Sequence, residues 1–199
     1  MRMKAKAAAL LVLGAVFLTG PSCSKSPVSP TVELVGTMKI TGRATEFLAG
    51  GYQKIWLDEG SVDLSAKASV DELRNSGAQV TGSGKGVAGF SASMPPCQAS
   101  ARFDATYTVN GQLSTGSTCM LALRVDIKWT KGTSSITCPG MATQDDSWPD
   151  FSYSVPAIFN NNVREAQSSV TDSGLDWTYR FEMQRFDSTG VTHTLPSPI

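Results

Sequence analysis

Apolar and polar residues alternate along much of this chain with a period of two, and that alternation dictates strands. In "LALRVDIKW", Leu121, Leu123, Val125, Ile127 and Trp129 fall on one face, with Ala122, Arg124, Asp126 and Lys128 on the other. Successive side chains of a strand point to opposite sides, so such a segment buries one face and wets the other. "RFDATYTV" repeats the pattern with Phe103, Ala105, Tyr107 and Val109, and "LDWTYRFEMQ" with Leu175, Trp177, Tyr179, Phe181 and Met183. Weaker versions run over 32–43, 52–57, 61–70, 87–94, 133–138 and 151–155. The expected fold is all-β: an antiparallel sandwich or barrel of about nine strands with one or two short helical turns.

Punctuation comes from glycine. Asn110-Gly111 and Lys131-Gly132 read as turns, and a turn at Lys131 would set Trp129 against Ser134, Ile127 against Ile136 and Val125 against Cys138. "GSGKG" at 82–86 falls short of a phosphate-binding loop, because Gln79 stands where the first glycine belongs and Gly86 where a hydroxyl belongs. It reads instead as a hairpin turn. Ser69 with Glu72 three residues on forms a capping box that Gly77 closes, and Asn162 with Glu165 repeats the spacing.

The amino terminus has a different character. Arg2, Lys4 and Lys6 precede an apolar run at 7–18, and no acidic residue occurs before Glu33. As a helix that run reaches only about 18 Å, short of the roughly 30 Å hydrocarbon core of a bilayer, so residues 1–22 read as a signal peptide rather than an anchor. Ser22 before Cys23 resembles the lipobox of bacterial lipoproteins, with Pro21 and Gly20 standing where that class carries a small residue and Leu. The resemblance implies lipidation of Cys23, anchoring by acyl chains and, from Ser24, sorting to the outer membrane, facing the periplasm or the surface. Residues 23–30, Ser- and Pro-rich, form a tether of roughly 20 Å ahead of a single domain at 31–199. Cleavage by ordinary signal peptidase at the same point would leave Cys23 unmodified and the protein periplasmic or secreted. Cysteine parity keeps both routes open. Lipidating Cys23 leaves Cys97, Cys119 and Cys138, and sparing it leaves four cysteines with three possible connectivities. The expected bridge is Cys119 with Cys138, leaving Cys97 as the spare thiol.

Removing residues 1–22 takes away three of the 17 basic residues and none of the 17 acidic ones, leaving a charge of −3. No basic stripe exists to displace counterions from phosphates, so nucleic acid is not an expected partner. His193 is the only histidine, no Gly-x-Ser-x-Gly elbow occurs, and zinc spacing is missing. Asp145, Asp146 and Asp150 in "TQDDSWPDF" make a weak Ca²⁺ candidate. Trp56, Trp148, Phe151 and Tyr153 are the candidate ligand or partner contacts, with Trp148 the most exposed, whereas Trp129 and Trp177 have core parity. Asp126, Lys128, Arg180 and Glu182 on outward faces belong in water and argue against a porin-like barrel. The reading is a non-enzymatic binding or scaffolding module of the cell envelope that needs no cofactor. It would contact an envelope protein or a small apolar ligand in a barrel mouth; a carboxylate-based hydrolase is the alternative.

Overall fold

A computed structural model of the chain describes residues 30–115, 119–160 and 163–188. The expected signal peptide at 1–22, Cys23, most of the expected tether, Asn162 and His193 lie outside the described residues. Among the described residues, nine antiparallel strands form one sheet, with one short helix and a 3₁₀ turn. The strands are β1 (Thr31–Phe47), β2 (Gln53–Ser69), β3 (Ala78–Met94), β4 (Cys97–Thr115), β5 (Cys119–Thr137), β6 (Gln144–Trp148), β7 (Phe151–Asn160), β8 (Glu165–Asp172) and β9 (Leu175–Ser188). Their order is β6-β5-β4-β3-β2-β1-β9-β8, and β7 also pairs with β5. β6 and β7 lie end to end along one edge of β5, opposite 132–136 and 120–129 respectively. Pro149, which has no N–H to donate, stands at the break between them.

The sheet rolls on itself without a ladder from β7 to β8 among the described residues, so the roll is held by side chains. Every strand from β1 to β5, with β7 and β9, sends alternate apolar residues into one core, from Val32 on β1 to Phe186 on β9. That period-two pattern is why the described residues are almost entirely strand. No helix among the described residues is long and apolar enough to cross a membrane.

The one α-helix among the described residues, α1 (Val70–Asn75), forms where the capping box predicts it. Ser69 accepts from the Glu72 amide at 3.1 Å, the Glu72 carboxylate accepts from the Ser69 amide at 2.7 Å, and Gly77 at φ +80° ends the turn. The second helical expectation fails. Residues from Glu165 onward are β8, with Ala166 buried between exposed Glu165 and Gln167.

The glycine-based turns are also corrected. Asn110 and Gly111 sit inside β4, paired with Thr81 and Val80. Lys131, at φ +55°, is a kink within a continuous β5, opposite a register shift between Arg102 and Asp104 on β4. Gly132 is small because Phe103 and Trp148 pack there, at 2.3 and 2.7 Å from where a Cβ would stand. The 82–86 segment is interior β3, not a turn. A Cβ on Gly84 would stand 1.9 Å from the Ser61 carbonyl oxygen, and one on Gly86 2.7 Å from the Tyr107 hydroxyl. β2 likewise runs straight through the gap expected at 58–60, since a Cβ on Gly60 would meet the Tyr107 ring at 2.3 Å.

Because β5 does not turn at Lys131, it carries Cys138 beside Cys97, and these two form the disulfide with Cα atoms 4.2 Å apart. The expected Cys119–Cys138 bridge is therefore wrong. Those residues lie at opposite ends of β5, about 60 Å apart at 3.3 Å per residue. Cys119 is half-buried, and burial pushes its thiol pKa up.

Candidate functional site

Two polar features stand out, one sealed in the core and one open on the outer face. The sealed feature begins at Asp58, which has inward parity on β2 between Trp56 and Gly60 and is the only buried charged residue, at 0% exposure, among those described. A buried carboxyl needs hydrogen bonds to survive there. Tyr107 on β4 donates to one carboxyl oxygen at 2.5 Å and Tyr179 on β9 to the other at 2.8 Å. Tyr153 on β7 is hydrogen-bonded to the Tyr179 hydroxyl, so the network joins four strands. The indole of Trp129 also faces this carboxyl, although its Nε1 makes no hydrogen bond of normal geometry.

Desolvation raises the Asp58 pKa, against the opposing pull of the tyrosine hydroxyls. The phenols of Tyr107, Tyr153 and Tyr179 are pushed up as well, first by burial and then by the nearby Asp58 charge. The hydrogen-bond partners of Asp58 are tyrosine hydroxyls from two other strands, so the carboxyl acts as a clasp between them.

Around the clasp the predicted contact residues come together. Trp56 lies 6.3 Å from Trp148, Trp148 6.3 Å from Phe151, and Tyr153 5.5 Å from Trp129, centroid to centroid. Trp177 packs on Trp56, Trp129 and Tyr179. These rings fill the core instead of lining an open mouth, and Trp148, expected to be exposed, is half-buried with its edge on Trp56, Phe90 and Phe103. At one end the Lys54 ammonium sits 4.7 Å from the Phe90 centroid and 5.3 Å from that of Trp56. It is paired with Glu46 at 2.8 Å, and this hydrogen bond lowers the Glu46 pKa.

The open feature is a groove of about 1000 Å³ across the outer face of β2 to β6. Register builds it row by row. Ile55, Ser91, Ser100, Ser135 and Asp145 make one row, and Leu57, Gly89, Arg102, Thr133 and Ser147 the next. Gly89 and the serines are small, so the floor is low between an aliphatic wall on β2 and the hydroxyl-rich side of β5 and β6. A second concavity of about 780 Å³ shares Ile55, Ser91, Ser100 and Ser135 and continues the groove to Tyr52 and Gln98. Glu59 and Asp145 flank it four strand spacings apart, about 19 Å along the sheet, well beyond the separation a glycosidase pair uses.

The calcium candidate does not assemble. Asp145 and Asp146 are neighbours on a strand and face opposite ways, while Asp150 pairs with Lys128 at 3.4 Å. No cluster among the described residues could hold a metal ion. Comparison with models of protein families, with characterised proteins and with solved structures gives no match.

Sequence reading missed Asp58 and the groove. The signal for Asp58 was present: an aspartate at inward parity between Trp56 and Val62 has to find donors. The groove left no such signal, because its rows come from five strands that only the register aligns.

Proposed function

We propose that this protein is an exported, lipid-anchored module of the cell envelope that binds a partner protein without catalysing a reaction. The observation that carries this reading is the division of the molecule into a core closed by its own rings and a long open groove outside. The groove has aliphatic Ile55, Leu57 and Val87, hydroxyls on its floor, and both signs of charge in Arg102, Glu59 and Asp145. An amphipathic surface with both signs suits an extended polypeptide segment, whose backbone groups can meet the hydroxyls and whose side chains can meet the rest. From Gln53 to Glu59 the groove is about 20 Å long, room for about six extended residues.

A photo-crosslinking residue placed at Ser100 in the groove, and separately at Ser154 on β7, tests this in intact cells. Adducts with one envelope protein at position 100 and none at 154 are expected. Equal labelling at both positions, or none at either, contradicts the reading.

A further inference from the structure

Three of the four turns at one end of the rolled sheet carry no charged residue. The β1–β2 turn, "FLAGGYQ" at 47–53, has no ionisable group except the Tyr52 phenol. The β3–β4 hairpin through Pro95 and Pro96 contains no Asp, Glu, Lys, Arg or His over 86–101, and the β5–β6 connection contains none over 132–144. The register brings these three segments to the same end, and the Cys97–Cys138 disulfide ties two of them together. Phe47 is 75% exposed and Met141 72% exposed, and Tyr52 and Ile136 are exposed beside them. The nearest charges behind the β1–β2 turn, Glu46 and Lys54, neutralise each other. The fourth turn at this end, between β8 and β9, carries Asp172.

Loop tips normally lie in water, and adjacent tips that present large apolar side chains without a charge mark a contact surface. Phe47 and Met141 protrude from separate turns and line neither concavity, while Tyr52 stands where the groove ends. Protruding aromatic and aliphatic tips over a neutral band suit the interfacial region of a bilayer, where apolar groups enter the acyl boundary by about 5–10 Å and neutral hydroxyls meet headgroups. We infer that this end, through Phe47, Tyr52 and Met141, inserts shallowly into a lipid surface. It goes beyond the groove reading and does not depend on it. Thr31, where the chain enters the domain, is at the other end of β1, about 55 Å away. The lipid surface met by the tip is therefore distant from the point of entry.

The test uses the full chain with Cys23→Ser throughout, so that no acyl anchor contributes. Phe47→Trp is mixed with vesicles of brominated phosphatidylcholine, with Ile158→Trp on the outer face of β7 as the comparison. The added fluorescence at 47 is expected to be quenched, equally at low and high salt, and that at 158 is not. Phe47→Ser with Met141→Ser should weaken vesicle binding by at least about tenfold, since each removes a large apolar group from the interface. Both positions are exposed, so circular dichroism should show an unchanged fold. An unquenched tryptophan at 47, or quenching that needs anionic lipid and vanishes in salt, overturns the inference.

Discussion

Tyr179 donates a 2.8 Å hydrogen bond to Asp58, a residue 121 positions earlier in the chain. β1 lies between their strands in the sheet, and the partner phenol of Tyr107 reaches the same carboxyl from β4. The roll is not closed by a ladder, so this clasp and the rings around it hold β9 and β7 against β2 and β4. Replacing the carboxyl by an amide keeps two sites for hydrogen bonds, because the Tyr179 hydroxyl can accept from the amide and donate to Tyr153. Asp58→Asn should fold with stability equal to or above the parent. Asp58→Leu strands two buried hydroxyls and should unfold at least about 2 kcal/mol below Asp58→Asn in urea titration.

The pH dependence has a definite sign. Burial raises the Asp58 pKa in the folded state above its unfolded value. The folded chain therefore holds this proton more tightly. The contribution is fully present below about pH 4, the unfolded range, and is lost as pH rises through the folded value. Glu46 and Asp126 have lowered pKa values from their hydrogen bonds and work in the opposite direction, losing stability as pH falls. The difference between parent and Asp58→Asn isolates the clasp. It should shift against the parent as pH rises from 4 towards neutrality, and a flat difference would mean that Asp58 is not desolvated in solution.

Gly60 and Gly42 make room for the phenols that reach Asp58, each with a Cβ position 2.3 Å from a tyrosine ring. Gly60→Ala should displace Tyr107 and cost about 1–3 kcal/mol, the scale of overpacking a core. Gly140, with open space at its Cβ position, gives a comparison of a different kind, since its φ of +75° makes alanine strained at a surface turn without disturbing the core. Near-ultraviolet circular dichroism should change for Gly60→Ala and not for Gly140→Ala.

The Cys97–Cys138 bridge closes a separation of 41 residues, for which the chain-entropy model gives about 4 kcal/mol. Cys97→Ser should lower stability by an amount of that order, and Cys119→Ser by much less. If the chain is exported and lipid-anchored as proposed, its intact mass should show acyl chains on a chain beginning at Cys23 and a gain of two hydrogens on reduction. A gain of four would mean a second bridge, and an unmodified amino terminus would remove the lipid anchor.

Much of the fold was legible in the residues because period-two alternation is a local property. The inward sets on β4, β5 and β9 and the Ser69–Glu72 cap are as the sequence suggests. What failed was the reading of glycine. Lys131-Gly132, Asn110-Gly111 and the glycines of 82–86 look like turns locally, but Gly60, Gly84, Gly86 and Gly132 are small because a ring or a neighbouring backbone occupies the space of their side chains. That reason lies on another strand. The wrong disulfide followed from the same error, since a false turn at Lys131 drew Cys138 away from Cys97. β6 and β8 were missed because their exposed residues give little apolar signal.

The most direct test of the groove as the working surface is oxidative footprinting of intact cells against the purified protein. Ile55, Leu57 and Val87 should be protected in cells while Ile158, equally apolar and outside the groove, is oxidised to the same extent in both. Equal oxidation of the groove residues in cells and in solution would mean that the groove is not the surface the protein uses.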